Sequence, residues 1–210
     1  METVLIADDH EIVRNGIRTM IEGISLQYRF IEVSTCADVI KVLSQNRIEY
    51  AILDMFLADA NIFSTIDVIS KYSKLTNILV YSQNAEKIYA KRLLEIGIRG
   101  FVSKQASMEE LEKALEELLK GNLYLSPELR NLMVHSSPDE ASTNPLDNLS
   151  DRELEVLEYL AMGLGTKEIS QKMKLDITTV STYRRRAYEK LQVQNFVEMK
   201  DKFALYKMKY

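Results

Sequence analysis

The sequence predicts two domains of different class: an α/β doubly wound, parallel five-stranded sheet, followed by a small all-α unit of four helices. From residue 3 to residue 120, apolar runs of strand length alternate with stretches in which apolar residues recur at helical spacing. From residue 149 to residue 208 only the helical spacing recurs. Residues 135–148, rich in Ser, Asn, Asp and Pro, have the composition of a flexible linker between the two.

Five strand-and-helix units in series make up the first predicted domain. Such a series favours a parallel sheet with helices on both faces. Ser107 and Glu110 have the spacing of a capping box at the start of the fifth helix. The predicted strands are 3–7, 29–33, 50–53, 77–81 and 100–103, and the predicted helices are 12–24, 37–46, 64–73, 85–96 and 108–119.

Four helices with short connections make up the second predicted domain. Ser150 and Glu153 form a capping box for its first helix, and Thr166 and Asp176 are positioned to cap its second and third helices. The helices are predicted at 150–161, 167–173, 177–191 and from Asn195 onward.

The second and third of these helices, joined by a tight turn, fit a helix-turn-helix. The longer third helix carries Arg184 to Arg186 and has an apolar stripe of Val180, Ala187 and Leu191. Arginines supply phosphate contacts and bidentate contacts to guanine. Three arginines alone are more typical of a solvated helical face, but the caps, the turn and the stripe together favour DNA binding.

Charge is divided unevenly along the chain. Residues 1–146 carry 21 acidic and 15 basic side chains, a net charge of −6, whereas residues 147–210 carry 10 acidic and 12 basic side chains, a net charge of +2. An acidic first part and a mildly basic second part predict two domains with different partners.

The cellular compartment is predicted from three features of the chain. Its longest apolar stretches are only strand-sized, so no contact with the membrane is expected. The first residues are acidic and lack the basic start and the cleavage site of a signal peptide. Cys36, the single cysteine, cannot form an internal disulfide. We therefore expect a cytoplasmic protein.

Polar side chains follow four of the predicted strands. Asp8 and Asp9 follow the first strand, and Asp54, Ser82 and Lys104 lie at the ends of three later ones. Because ligands of parallel α/β sheets bind at the carboxyl ends of the strands, these groups are expected to meet there. Carboxylates, a hydroxyl and an ammonium suit a divalent cation and a phosphoryl group. Helix capping explains one such aspartate about equally well, but it does not explain the whole set.

With these residues in place, residues 1–120 resemble the receiver domain of two-component response regulators, whose fold is flavodoxin-like. The resemblance implies that Asp54 is the phosphoacceptor and takes its phosphoryl group from a sensor histidine kinase. It also implies an Mg²⁺ ion bound by Asp8, Asp9, Asp54 and the backbone carbonyl of Phe56.

Three further residues match functional positions of the receiver family. Ser82 and Lys104 match its hydroxyl residue and its lysine, and Phe101 matches its switch aromatic. One loop departs from the family pattern, because Ala58 stands where receivers usually have a proline and no glycine follows it. Asn61 is predicted to supply the left-handed turn instead.

The second domain resembles the LuxR-type DNA-binding domain. The matching segments are Leu149 to Leu157, Gly163 to Ile169, Thr179-Val180 and Lys190-Leu191. Together the two resemblances cover nearly the whole chain and identify a response regulator of the NarL/FixJ class. They imply major-groove contacts by Ser181, Thr182 and Arg185, and contacts nearer the phosphates by Lys167, Thr178, Thr179 and Arg184. Tyr183 stands where that family usually has histidine, so no role is carried over to it.

The predicted organisation is a receiver domain at 1–122, a linker with a short helix at 123–146, and a LuxR-type domain at 147–210. The predicted function is transcriptional control in which phosphorylation of Asp54 changes dimerisation and promoter binding. The expected partners are a cognate kinase, double-stranded promoter DNA and a second copy of the chain, with RNA polymerase as a candidate.

Two alternative functions compete with this one. The first is a phosphorylation-independent transcription factor with a degenerate receiver, suggested by Ala58 and the missing glycine. The second is a phosphatase of the haloacid dehalogenase type, which needs an acid two residues after its nucleophile, where this chain has Phe56. We therefore expect no enzyme that turns over an external substrate, only self-phosphorylation and self-dephosphorylation of a receiver.

Overall fold

The computed structural model describes residues 1–62, 66–72, 74–83, 86–127, 129–130 and 144–209. The chain divides into two compact units, Met1–His135 and Ser136–Tyr210. Most of the short helix predicted near 127–134 and most of the predicted linker lie outside the described residues.

The first unit is a five-stranded parallel sheet with flanking helices, as the sequence predicts. Its strand order is β2-β1-β3-β4-β5. The strands are β1 (Glu2–Ala7), β2 (Tyr28–Val33), β3 (Tyr50–Leu53), β4 (Asn77–Ser82) and β5 (Gly100–Ser103). The helices are α1 (Glu11–Ile24), α2 (Cys36–Gln45), α3 (Ile66–Tyr72), α4 (Glu86–Glu95) and α5 (Met108–Leu119).

One hydrophobic core cluster of this unit lies between the sheet and the helices α1 and α5. It joins the strand residues Val4, Ile6, Ile52 and Leu79 to apolar residues of both helices. Tyr124, within the predicted linker, belongs to the same core and donates its backbone N–H to the carbonyl of Arg99 at 2.8 Å. The start of the predicted linker is therefore folded onto the first unit.

The fifth helix has only half of the capping box that its sequence suggests. The Ser107 hydroxyl accepts a hydrogen bond from the backbone N–H of Glu110 at 3.2 Å. The Glu110 carboxylate accepts from the hydroxyl of Tyr124 at 3.1 Å. Tyr124, a residue distant in the sequence, thus binds the Glu110 side chain that would otherwise complete the capping box.

Over its described residues, 144–209, the second unit contains a short 3-10 helix (Pro145–Asn148) and four α-helices, which confirms the predicted helical domain. Leu146 in the 3-10 helix is fully buried, so the end of the predicted linker also belongs to a folded unit. Val180, Ala187 and Leu191 are buried, as predicted. The α-helices are α6 (Asp151–Ala161), α7 (Thr166–Met173), α8 (Ile177–Leu191) and α9 (Phe196–Lys209).

The helix starts in this unit agree only in part with the predicted caps. Ser150 and Glu153 form the predicted capping box of α6. The cap position of α7 is Gly165 rather than Thr166, and the Glu168 carboxylate accepts from the Gly165 N–H at 2.7 Å. Asp176 holds the cap position of α8, but its side chain makes no capping hydrogen bond.

The turn between α7 and α8 is closed by backbone and side-chain hydrogen bonds. Lys174 adopts a left-handed conformation with φ of 54°, which ends α7. The Leu175 N–H donates to the carbonyl of Ser170 at 3.0 Å, and the Ser170 hydroxyl donates to the carbonyl of Leu175 at 2.7 Å. These bonds fix the direction in which α8 leaves the turn.

Among the helices in the described part of the chain, none combines the length and apolar character needed to cross a membrane.

Glu155 is a buried carboxylate in the middle of α6. Its side chain is 0% exposed, and Arg152 Nη1 donates to its Oε2 at 2.9 Å. Its Oε1 has no hydrogen-bond partner among the described residues. Burial raises the pKa of Glu155 from 4.5 to about 7, the charges of Glu158 and Asp151 add to this, and Arg152 opposes it.

The raised pKa predicts that the second unit loses stability as the pH rises. The folded state holds the Glu155 proton up to about pH 7, whereas the unfolded chain releases it near pH 4.5. The stabilisation therefore falls as the pH rises between these two values and is gone above the higher one. From pH 5 to pH 8 the wild type should lose about 2–3 kcal/mol relative to Glu155→Gln. Hydrogen exchange of core amides in α6 and α8, corrected for intrinsic rates, measures this loss in the full chain. An equal pH dependence in both proteins would contradict it.

Candidate functional site

Strand pairing brings the predicted acidic residues together at one edge of the sheet. In β1 and β3, Ala7 is the register partner of Leu53, so the residues that follow these strands are neighbours. The Asp54 N–H donates to the carbonyl of Ala7 at 2.8 Å. On the other side, the Lys104 N–H donates to the carbonyl of Ser82 at 2.8 Å.

Lys104 joins the two buried aspartates directly. Its Nζ lies 2.6 Å from Asp8 Oδ2 and 2.7 Å from Asp54 Oδ2. The three side chains are almost entirely buried, with 10%, 2% and 9% of the lysine, Asp8 and Asp54 side chains exposed. A water-poor pocket therefore holds one ammonium group between two carboxylates, and each charge has an opposite partner.

Burial and pairing act differently on the two ends of this contact. Burial raises the pKa of Asp54 and the charge of Asp8 adds to this, while hydrogen bonds from Lys104 and Ser82 and the lysine charge lower it less. Burial lowers the pKa of Lys104, but Asp54 and Asp8 together outweigh burial, so its net pKa is raised. Both pKa values are raised, which disfavours the charged form of Asp54 but favours that of Lys104, because the lysine has two carboxylates while Asp54 shares one lysine. The ammonium form of Lys104 is therefore firmly held.

Ser82 and Phe101 also lie where the strand pattern puts them. Ser82 is buried at the end of β4, close enough to Asp54 for its hydroxyl to lower the pKa of that carboxyl group. Phe101 is fully buried in β5. The ring of Tyr81 lies 5.8 Å from Lys104 Nζ, close enough for a cation–π contact.

One cluster that could ligate a metal lies beside Lys104 in the described residues. It consists of Asp8, Asp9 and His10, whose ligand atoms lie within 4.8 Å of one another, and it does not include Asp54. His10 Nδ1 is 2.7 Å from Asp9 Oδ1 and 3.3 Å from Asp8 Oδ1. Carboxylate oxygens suit Mg²⁺, and because Asp9 and His10 are exposed such an ion could keep several waters, so the donor set fits that ion.

The strand-end pattern missed two residues of this site. His10 directly follows the aspartate pair in the sequence, and its side chain is mostly exposed. Arg14 Nη1 donates to the backbone carbonyl of Asp8 at 2.8 Å, while its Nε reaches Glu32 at 3.3 Å. The position of Arg14 within the first helical turns after Asp8 is the signal that could have revealed it.

The loop after Asp54 differs from its prediction. Asn61 is fully buried and pairs with Phe56 in an isolated antiparallel bridge. Among described residues other than glycine, only Lys174 and Gln192 have positive φ, so Asn61 does not supply a left-handed turn. The Phe56 N–H points to Asp54 Oδ1 at 3.4 Å. Cross-loop pairing, rather than a left-handed residue, reverses the chain here.

In the second unit, the predicted DNA-contacting residues lie on and beside α8. Arg184, Arg185, Lys167 and Thr178 are exposed, and Thr179, Ser181 and Thr182 are half-buried. Arg184 Nη1 donates to the Thr166 hydroxyl at 3.4 Å, which joins α8 to α7. Arg185 Nη1 lies 2.7 Å from Glu189 Oε1, and both side chains are mostly exposed.

Two families match these two parts of the chain. The family described as "Response regulator receiver domain" matches residues 4–116, which is more than half of the chain. This chain is a response regulator. The family "Bacterial regulatory proteins, luxR family" matches residues 147–202, so the regulator carries a LuxR-type DNA-binding domain after its receiver.

Several proteins are similar to this chain over most of their length. UvrY of Escherichia coli K12 is 28% identical over 200 residues, covering 95% of this chain and 92% of UvrY. GacA of Pseudomonas aeruginosa is 27% identical over 200 residues, covering 95% and 94%. RcsB of Salmonella typhimurium superposes with a TM-score of 0.76 at 27% identity, covering 99% and 100%. Another RcsB structure, bound to a promoter with the phosphomimetic BeF3−, gives 0.74 at 28% identity, covering 97% and 98%.

Proposed function

We propose that this response regulator accepts a phosphoryl group on Asp54 from a sensor histidine kinase and that phosphorylation changes its dimerisation and its binding to promoter DNA. The main support is the buried contact of Lys104 Nζ with both Asp8 and Asp54. This arrangement offers an acceptor carboxylate with a fixed cation beside it, in a site from which most water is excluded.

The proposed transfer forms a bond between Asp54 Oδ and phosphorus as the bond from phosphorus to the kinase histidine nitrogen breaks. The carboxylate gives the electron pair, and the leaving imidazole keeps the pair of the broken bond. Lys104 is already within hydrogen-bond distance of Asp54 Oδ2, so its ammonium can follow the incoming phosphoryl oxygen. Ser82 lies beside Asp54 and offers its hydroxyl to a second phosphoryl oxygen.

Asp8, Asp9, Asp54 and the carbonyl of Phe56 are the proposed ligands of an Mg²⁺ ion. When bound, such an ion neutralises charge on the phosphoryl oxygens. The clustering of Asp8 and Asp9 supports this set, with His10 next to them. Arg14 supports it as well, because its bond to the Asp8 carbonyl holds the start of the acidic pair in position.

The proposed output is promoter binding by the LuxR-type domain as a homodimer, with RNA polymerase as a candidate partner. Ser181, Thr182 and Arg185 are proposed to face the major groove, and Lys167, Thr178, Thr179 and Arg184 the phosphates. Ser82 and Phe101 are proposed to respond to the phosphoryl group and to change a surface of the receiver. We propose that the receiver domain, predicted at 1–122, extends to Tyr124, and that the DNA-binding domain, predicted at 147–210, includes Leu146. We also propose a cytoplasmic location.

A phosphorylation-independent regulator remains the second candidate because the loop with Ala58 lacks the proline and glycine of the family. The intact charge cluster of Asp8, Asp54 and Lys104 favours the first candidate. Uptake of beryllofluoride with Mg²⁺, followed by particle size and promoter affinity, distinguishes the two.

Asp54→Asn is expected to abolish stable phosphorylation. The amide keeps the shape of the side chain but removes the nucleophilic carboxylate oxygen. The measurement is acid-labile, hydroxylamine-sensitive label after incubation with acetyl phosphate and Mg²⁺. Asp38→Asn, at an exposed acid in the first turn of α2, is the control and should label normally. Comparable label on Asp54→Asn would move the acceptor to another residue.

Asp9→Ala is expected to weaken Mg²⁺ binding by about tenfold or more. Mutation of a residue that only supports a metal ligand already lowers metal affinity by about 10–100-fold. Calorimetric titration with Mg²⁺ measures the change. Glu11→Ala removes an exposed acid at the start of α1 and provides a control of equal charge. If both variants bind Mg²⁺ like the wild type, the proposed ligand set is wrong.

Arg185→Ala and Lys167→Ala are expected to differ in how they affect DNA binding. Loss of a bidentate base contact should cost about 1–3 kcal/mol on the preferred operator and little on random duplex. Lys167→Ala should weaken binding to the operator and to random duplex equally, and should reduce the slope of log affinity against log salt concentration by about one. The measurement is the affinity for a selected operator and for random duplex at several salt concentrations. An equal loss on both duplexes for Arg185→Ala would make it a phosphate contact.

A further inference from the structure

The loop that follows Asp54 is a small hairpin with Ala58 and Asp59 at its tip. Phe56 pairs with Asn61, and the Leu57 N–H donates to the carbonyl of Ala60 at 3.0 Å. At the base of the loop, the Ile62 N–H donates to the carbonyl of Met55 at 2.8 Å. Phe56 therefore lies in the first arm of this hairpin, two residues after the acceptor, and its position depends on what holds the tip.

The tip is fastened to the start of α2 by the carboxylate of Asp59. Asp59 Oδ1 accepts from the Cys36 N–H at 2.6 Å, and its Oδ2 accepts from the Ala37 N–H at 3.1 Å. Beside these bonds, the Ala58 N–H donates to the carbonyl of Ser34 at 3.2 Å. Asp59 is negative and faces the first amides of a helix, where an anion is favoured by the unpaired N–H groups and the helix dipole.

Local capping of α2 does not require Asp59. Thr35 is the cap residue of α2, and its hydroxyl accepts from the Asp38 N–H at 3.1 Å. Asp59 instead reaches across 23 residues of sequence to the first amide of the helix. Its two hydrogen bonds therefore connect the acceptor loop to a different part of the sheet edge.

We propose that Asp59 is a positioning residue for phosphoryl transfer, which fixes the hairpin and with it the Phe56 carbonyl next to Asp54. The inference rests on the proposed function, in which that carbonyl binds Mg²⁺. In other receivers a proline and a glycine limit the shape of this loop by their own backbone geometry, but the loop after Asp54 in this chain has neither. Here a carboxylate clamp from the loop tip to α2 supplies the restraint.

The test compares three variants of the full chain: Asp59→Ala, Asp59→Asn and Thr35→Ala. Asp59→Ala removes both bonds of the clamp, while Asp59→Asn keeps one acceptor oxygen. Thr35→Ala is the matched control, because it removes two hydrogen bonds at the same helix start, both with Asp38 and neither with the loop. Three quantities are measured: exchange of the Cys36 and Ala37 amides, Mg²⁺ affinity by calorimetry, and the phosphorylation rate with acetyl phosphate over a range of Mg²⁺ concentrations.

Asp59→Ala should speed exchange of both amides and weaken Mg²⁺ binding about tenfold, the scale found for residues that position metal ligands. Its phosphorylation should be slow at low Mg²⁺ and should recover as Mg²⁺ is raised, and Asp59→Asn should be intermediate. Thr35→Ala should destabilise α2 yet keep the Mg²⁺ dependence of the wild type.

Two results would overturn the proposal, and they are distinguishable. If Asp59→Ala speeds amide exchange but leaves Mg²⁺ affinity and rate no lower than in Thr35→Ala, Asp59 only stabilises α2 and the proposed function is unaffected. If the wild type itself binds no Mg²⁺ and takes no phosphoryl group, both the proposed function and the positioning role are wrong.

Discussion

The receiver site depends on one buried ammonium group. Lys104 lies between Asp8 and Asp54, so removal of any one of the three side chains would leave a buried charge with a partner missing. Their backbone positions are set by the ends of β1, β3 and β5, so the sheet holds the site together before any ligand arrives. Residues just outside this contact, such as Arg14 at the Asp8 carbonyl, hold the backbone rather than add charge.

The LuxR-type domain uses a comparable contact for a different purpose. Lys190, in the last turn of α8, lies 2.6 Å from the nearly buried Glu153 at the start of α6. Since Glu153 also closes the capping box of α6, one carboxylate fixes the start of one helix and the end of another. Together with the buried Val180 and Leu191, this contact fixes the face of α8 that is turned outward.

The contacts that the arginines of α8 make within the protein affect how easily they can bind a ligand. Arg185 is paired with Glu189 one turn away, and both are mostly exposed. Exposed pairs of this kind contribute little, so a phosphate or a base can take over the guanidinium at small cost. Arg184 differs, because its bond to Thr166 joins it to α7 and restricts its reach.

Sequence patterns determined the domain order, the five strands and the set Asp8, Asp9, Asp54, Ser82 and Lys104. These follow from local periodicity and from the rule that parallel strands end at one edge. Only the tertiary structure decided that Lys104 joins Asp8 to Asp54, that Glu110 turns to Tyr124, and that Asp59 reaches α2. The same holds for Asn61, which a local argument assigned to a left-handed turn but which pairs across the loop with Phe56. Such contacts join residues far apart in sequence, and a polar side chain takes whichever partner the fold brings near, so local spacing does not identify them.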